Sequence, residues 1–457
     1  MMLVIPLGIA WFATAGLALL DGRRCWVGWA GVAALAASLL GIVVLAVVVV
    51  TDGPVQTVGG GWPEGIGITL RADALGMTFA VLSVSVLLIA LCYEVLAGIR
   101  SRSFPALVLA MATGLIGLFL TADFFNFYVF FEIAMVSAYV LTSYGEQPNQ
   151  FRAATIFLTV NLLGSVLFLI AIAALYHLTG TLDMAQLAAR IPIVQVNPSI
   201  LSAALIFVAF GVKLGLFPFH FWLAAVYTGT SPAVAAILSG ALANIGSYGL
   251  LRFGGDLLPR ELEQAAPVLL ILGGASILYG GLQAVSCGDP REVIAYSSIG
   301  QVGYILVALA IGNHIGYTAA VLFAMTNSIN KTLLFLAIPL RGRLIGTALA
   351  VGAFGVTGLP PAAGFIGKAS IFRASLVESS VALVILLFLG SALSFLYMFQ
   401  VYGRVFWSAE RTDEASPRSL RLVVVSLAVA SLVLGIWPEP LLSLSEQAAS
   451  VLPGRAP

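Results

Sequence analysis

The sequence predicts an all-α polytopic membrane protein with about fourteen transmembrane helices. Three observations carry that expectation. Of 457 residues, 60% are hydrophobic. Only 9% are charged, whereas soluble domains carry roughly 25%. The apolar residues fall in runs of about twenty, the length a helix needs to cross a bilayer. They do not alternate with polar residues, which excludes β-barrel spans. A net charge of +1 gives no footing for a nucleic-acid partner or a polybasic lipid-binding surface.

The elements follow in order. The stretch Met2–Leu20 is long enough to span and lacks a basic leader, so it is the first helix rather than a cleaved signal. Further spans are expected at 28–50, 74–97, 104–121, 124–143, 153–176, 199–218, 231–252, 265–285, 292–312, 315–338, 345–372, 380–406 and 419–437. The polar-leaning stretches between them, about 51–73, 177–198 and 407–418, leave no room for a soluble catalytic domain. Within the second, "TLDMAQLAARI" reads as a short amphipathic surface helix. With the N-terminus outside, inner loops hold twelve arginines, Arg411 among them, and outer segments hold six: Arg71, Arg190, Arg252, Arg260, Arg373 and Arg455. The positive-inside rule then puts both termini outside. Cys25, Cys92 and Cys287 lie far apart and read as structural thiols without a disulfide framework.

Two stretches break the apolar pattern. "GVKLGLFPFHF" near 211–221 and "GVTGLPPAAGF" near 355–365 place Gly and Pro inside membrane runs, about 140 residues apart. Proline removes a backbone donor, so Pro218, Pro360 and Pro361 mark broken helices. Each break closes a block of four to five helices, and repeats with an odd helix count insert with opposite topology. Interrupted helices at matching positions point to a transport path. The expected division is 1–103 for the first three helices and 104–252 for a first five-helix repeat. A second repeat begins over 253–379, and the last helices occupy 380–457.

Charge inside the spans is scarce and therefore informative. The chain has three lysines, Lys213, Lys331 and Lys368, against eighteen arginines. Arginine supplies the surface charge, and every lysine falls within or at the edge of a span. Lysine can release its proton when desolvated, and arginine stays protonated. A charge at the bilayer centre costs at least about 2.5–3.5 kcal/mol on insertion scales, so it needs a partner or a wet cavity. Glu132, in "FNFYVFFEIAMVSAYVL", is the deepest acid, and it is the expected partner of Lys213. Such a pair can switch: apart, the lysine sheds its proton; together, it recharges. The competing role for Lys213 is a clamp between helices. For Lys368, snorkelling to an interface competes with proton handling. His220, after the first break, is placed to relay protons near the inner end of a path. His177 and His314 fall at outer loop edges. Asn161, Ser165, Asn244, Ser247, Ser297, Ser298, Gln301, Tyr304, Thr326, Asn327, Ser328 and Asn330 extend a possible polar wire, although helix–helix hydrogen bonding explains many such residues. No His/Cys/Asp/Glu spacing suggests a metal, and no phosphate loop or nucleophile motif suggests a cofactor or an enzyme.

At this point the sequence resembles a known family. "DFFNFYVFFEIAMVSAYVL", "GVKLGLFPFHFWLAAVYTGTSPAVAAILSGALANIGSYGLLR", "REVIAYSSIGQVGYILVALAIG", "TNSINKTLLFLA" and "GLPPAAGFIGK" occur in the order found in the proton-conducting antiporter-like subunits. Those subunits are shared by complex I, membrane-bound hydrogenases and Mrp-type cation/proton antiporters. "FNFYVFFE" and "LTGTLDMAQLA" most resemble the D-type subunit of the Mrp antiporters. The resemblance covers about 100–410. It implies fourteen helices with two inverted five-helix repeats, broken helices 7 and 12, and a polar axis at mid-membrane. It also implies that Glu132, Lys213 and Lys331 match the helix-5 glutamate, helix-7 lysine and helix-11 lysine. Partners would be other membrane subunits in the cell membrane, with protons and Na+ as transported ions, and lipid. Departures are visible: "ANIG" puts Asn244 where the family usually has a lysine, Asn327 stands at a frequent histidine position, and "WLAAVYT" replaces "WLPDAYP". Three readings therefore remain: a cation/proton antiporter subunit, the pump module of a redox complex, or a scaffold that has lost conduction.

Overall fold

Lipid offers the backbone no hydrogen bonds, so a chain of this composition satisfies its own amides in helices. The computed structural model describes residues 2–63, 67–193, 196–407 and 416–453. Arg411 and Arg455, used above for orientation, lie outside the described residues, as does most of the 407–418 stretch. The helices are α1 (Val4–Ala18), α2 (Cys25–Asp52), α3 (Ala74–Ala97), α4 (Phe104–Leu120), α5 (Phe124–Thr142), α6 (Pro148–Thr179), α7 (Met184–Arg190), α8 (Val196–Leu214) and α9 (Leu223–Gly229). They continue as α10 (Pro232–Leu257), α11 (Pro259–Ser286), α12 (Pro290–Ile311), α13 (His314–Ala337), α14 (Arg343–Thr357), α15 (Gly364–Val377), α16 (Val381–Tyr402), α17 (Arg418–Ile436) and α18 (Glu439–Ser450). Among the described residues, eleven helices are long and apolar enough to cross a membrane. Three shorter apolar helices, α1, α4 and α14, stand at expected spans.

Both expected breaks are present. The run expected at 199–218 ends as α8 at Leu214, and beyond the break the chain continues as a 3₁₀ turn at Phe219–Trp222 and then α9. The run 345–372 divides into α14 and α15. Three elements went unread in the sequence. A two-stranded antiparallel hairpin pairs β1 (Val55–Val58) with β2 (Thr69–Ala72), inside the stretch taken as loop. Helix α18 follows the last expected span. Helix α10 carries two π-helical segments, Leu238–Leu242 and Leu250–Leu257, and runs beyond the expected end at 252. The surface helix foreseen in "TLDMAQLAARI" is α7, which buries Met184 and Leu187.

The hairpin, the α4–α5 corner and the start of α7 meet on one face. Ala122 donates its amide to the Thr69 carbonyl at 2.8 Å, and Phe124 donates to Leu182 at 2.8 Å. Asp73, Asp123 and Asp183 cap α3, α5 and α7 by accepting amides of Gly76, Asn126 and Gln186. Each uses its carboxylate where the helix leaves amides unpaired and positive. Helices α10, α12 and α13 are nearly wholly buried, whereas α16 and α17 expose broad apolar faces. The polar residues of the spans therefore sit in the middle of the bundle.

The second break packs without spare room. A Cβ on Gly364 would lie 1.9 Å from the Gly355 carbonyl oxygen and 2.7 Å from Asn330 Nδ2. Gly364→Ala is therefore expected to destabilise the fold by about 1–3 kcal/mol. Gly8, whose Cβ would meet nothing within 4 Å, is the control. Thermal unfolding in detergent should separate the two variants; equal midpoints would refute the close approach.

Candidate functional site

The local sequence explains why Lys213 stops where it does. Gly215 takes φ +65°, a conformation open to glycine at a helix C-terminus. Its amide donates to the Val212 carbonyl at 3.1 Å, and the Leu216 amide donates to Gly211 at 3.0 Å. That is a Schellman ending, and it puts Lys213 in the last turn of α8, where the helix dipole favours a cation. Trp222 Nε1 donates to the Val212 carbonyl as well, at 3.0 Å, tying the far side of the break back to α8.

Lys213 Nζ donates to the Asn161 carbonyl at 2.9 Å and to Ser165 Oγ at 3.1 Å, both on α6. It also lies 4.5 Å from the Phe131 ring centroid on α5, in cation–π range. The expected ion pair with Glu132 is not closed: no ion pair among the described residues includes either group. The Glu132 Oε1 is buried without a protein hydrogen-bond partner. The reason is local. The α6 oxygens already hold the ammonium, and the Phe131 ring covers its α5 side. Asn161 Oδ1 and the Tyr139 hydroxyl are likewise buried without a partner.

The other two lysines repeat this arrangement. Lys331 Nζ, fully buried on α13, donates to the Ile294 carbonyl at 3.1 Å and, in a short contact, to Ser297 Oγ. Lys368, on α15, does not snorkel. It turns inward to the Thr357 carbonyl at the end of α14, 3.2 Å away, and to Ser391 and Ser394 Oγ at 3.4 and 3.3 Å. Its Nζ lies 4.8 Å from the Tyr304 ring centroid. Each lysine thus has a backbone carbonyl and a serine hydroxyl, and among the described residues none has a carboxylate within ion-pair distance.

Between Lys213 and Lys331 the structure places amides and hydroxyls. Asn244 Nδ2 donates to Ser83 Oγ at 3.0 Å and to the Gly240 carbonyl at 2.9 Å. Ser328 Oγ donates to the same carbonyl. Asn327 and Asn330 each keep a buried Oδ1 without a protein partner. Pro218 is exposed at the first break; Pro360 and Pro361 form the second. His220 stacks on Phe217 and packs at a tilt against Tyr279, with centroids 5.4 and 4.3 Å away, and its Nδ1 is buried without a partner. His177 and His314 are exposed at helix ends, as expected. The three cysteines are unpaired.

One cluster escaped the sequence reading. Arg252, counted there as an outer-loop charge, lies inside α10 and is 5% exposed. Both Asp73 oxygens accept from its Nη2 at 2.7 Å. Asp256 accepts from Nη1 at 3.0 Å, and the Tyr248 hydroxyl accepts from Nε at 3.1 Å. Asp73 is the N-cap of α3, so one carboxylate caps a helix and locks α10 to it. The i, i+4 spacing of Tyr248, Arg252 and Asp256 was a readable hint; Asp73, about 180 residues away, was not. The pair floors a cavity lined also by Arg71, Thr121, Asp183 and Gln186.

These are the features of a multi-pass membrane subunit: a helical bundle, two broken helices, and three lysines inside the bundle, each held by a serine hydroxyl and a backbone carbonyl. Residues 121–342, just under half of the chain, match the family described as "NADH:quinone oxidoreductase/Mrp antiporter, TM", and the chain is similar to the multi-pass, antiporter-like membrane subunits of that family. Within it the chain is similar to the D-type antiporter subunits. It is 28% identical over 442 residues to the D-type subunit of the Na(+)/H(+) antiporter of Alkalihalophilus pseudofirmus, covering 91% of this chain and 90% of that relative. The fold matches a chain of the Mrp complex from Dietzia sp. DQ12-45-1b with TM-score 0.89 and 26% identity, covering 99% and 96% of the two chains. It also matches a chain of the membrane-bound sulfane sulfur reductase, an archaeal respiratory membrane complex, with TM-score 0.89 and 25% identity, over 98% and 96%.

Proposed function

We propose that this chain is the proton-translocating membrane subunit of a multisubunit Na+(cation)/H+ antiporter in the cell membrane, with both termini outside. The observation that carries this reading is the repeated lysine site: three amines in the bundle interior, each held by neutral oxygens. A lysine kept only for its charge would be expected to face a carboxylate. A lysine that gains and loses a proton needs partners that serve both forms, and hydroxyls and carbonyls do.

In this reading, Lys213 takes up a proton at the first break, with Glu132 raising or lowering its readiness as the two approach or part. His220 feeds the site from the inner face. The proton passes beside Asn244 and Asn327 to Lys331, and on to Lys368 at the second break. Asparagines hold no exchangeable charge near neutral pH, so water carries that middle step. The helices of 104–252 serve as the first inverted repeat and those of 253–379 begin the second, with Pro218, Pro360 and Pro361 keeping both breaks open. The exposed apolar faces of α16 and α17 meet other membrane subunits and lipid.

The second reading is the pump module of a redox complex, favoured by the likeness to the sulfane sulfur reductase chain. Purification from the native membrane in mild detergent separates the two. Small hydrophobic subunits without flavin or iron–sulfur proteins support the antiporter; iron–sulfur subunits overturn it. In everted vesicles the antiporter should dissipate a pH gradient on addition of NaCl. A complex that leaves the gradient intact with every alkali cation, yet is fully assembled, would favour the scaffold.

A further inference from the structure

We propose that Tyr397, on α16, is a proton-relay residue joining Lys331 to Lys368. The inference rests on the proton-translocation reading of this site and adds a route that the lysines alone do not provide.

Lys331 and Lys368 come from different helices and do not hydrogen-bond each other. Between them stands a chain of hydroxyls. Lys331 Nζ donates to Ser297 Oγ. Ser297 and Gln301 lie one turn apart on the same face of α12, and the Tyr397 hydroxyl, bonded to Gln301, donates to Ser394 Oγ at 3.1 Å. Ser394 Oγ in turn accepts from Lys368 Nζ at 3.3 Å. Gln301 Nε2 donates to the Tyr397 oxygen at 3.2 Å, which leaves the phenol hydrogen free to point along the route. Tyr397 is 2% exposed, so the phenol supplies the hydroxyl in a spot shielded from bulk water. Ser391, Ser394 and Tyr397 recur every third residue and bring one polar face of α16 to the two lysines.

The step balances. The Lys331 ammonium gives a proton to Ser297 Oγ, which passes its own to the Tyr397 oxygen. Tyr397 passes its hydrogen to Ser394 Oγ, and Ser394 passes its hydrogen to the neutral Lys368 amine. Every hydroxyl gains one proton and loses one. The net change is one ammonium converted to an amine and one amine to an ammonium. Two hydroxyls must turn first, and Ser297 must close on the Tyr397 oxygen one helical turn away: Ser297 donates to the Ile294 carbonyl at 2.7 Å and Ser394 to the Gly390 carbonyl at 2.7 Å.

The test uses the full complex in proteoliposomes, with proton flux driven by a potassium diffusion potential. Tyr397→Phe keeps the ring and removes the relay oxygen, and flux should fall about tenfold or more. Tyr397 replaced by 3,5-difluorotyrosine keeps shape and hydroxyl but gives a more acidic phenol. A relay changes its rate in response, whereas a hydroxyl that only supports Gln301 does not. Lys331→Ala calibrates the assay. Parent-level flux in Tyr397→Phe, with flux abolished in Lys331→Ala, overturns the relay and leaves the function standing. Parent-level flux in both overturns the reading of the site, and the relay with it. If Tyr397→Phe fails to assemble, the fluorinated protein decides: an unchanged rate overturns the relay.

Discussion

Proton flux through vesicles carrying Lys213→Arg is expected to fall as far as with Lys213→Ala, by about 10²-fold or more. Arginine keeps the positive charge at the end of α8 and can still donate to Ser165 and the Asn161 carbonyl. It does not give up its proton. A residue serving only to clamp α6 to α8 would tolerate arginine far better than alanine. The comparison therefore separates charge from proton exchange, which alanine alone does not. Glu132→Gln is the companion variant. Its carboxylate makes no direct bond to Lys213, so the glutamine should assemble normally and alter flux through the lost charge. Flux at the parent level in both Lys213→Arg and Glu132→Gln would sink the assignment of this pair.

The largest effect on stability is expected at Asp73 and Arg252. Removing one member of a buried, hydrogen-bonded ion pair costs about 3–5 kcal/mol, because the survivor stays buried and uncompensated. Asp73→Asn also weakens the cap of α3. Arg252→Met strands Asp73, leaving it Arg71 at 3.6 Å. The double variant Asp73→Asn/Arg252→Met should be less damaging than the two single losses added, since the pair is directly coupled. Additive losses in thermal unfolding would refute the coupling. The pH dependence has a definite sign. Burial pushes the Asp73 carboxyl up, but the Arg252 guanidinium, the Gly76 amide and Arg71 together outweigh it and hold the carboxyl below its ordinary value of 3.8. A depressed carboxyl contributes stability above that ordinary value and loses it as pH falls through the lower folded one. The clamp should therefore hold unchanged from neutral pH down to about 5 and weaken only in stronger acid. Weakening between pH 7 and 6 would contradict it.

The sequence by itself determined the helical membrane fold, both breaks and the three lysines within the spans. Those follow from the composition of each run: lipid forbids unpaired backbone, proline and glycine interrupt a helix wherever they fall, and a charge in an apolar run is costly wherever the run is placed. Each is a property of one segment. Family resemblance added Glu132, Lys213 and Lys331 as a set, in agreement with charge scarcity. What only the tertiary structure decided is which groups meet. Lys213 faces Ser165 and a carbonyl rather than Glu132, because the Phe131 ring covers its α5 side. Lys368 turns inward to α14 and α16 instead of snorkelling, because the second break leaves the Thr357 carbonyl in reach. Arg252 looked like a loop charge because π-helical turns extend α10 past the point where hydropathy ends it, and its partner Asp73 lies on a helix about 180 residues away. Tyr397 looked like an ordinary aromatic in an apolar run. Its hydroxyl gains meaning only when α16 packs against α12 and α15, since hydrogen bonds between distant helices depend on ångström-scale packing that no local pattern encodes.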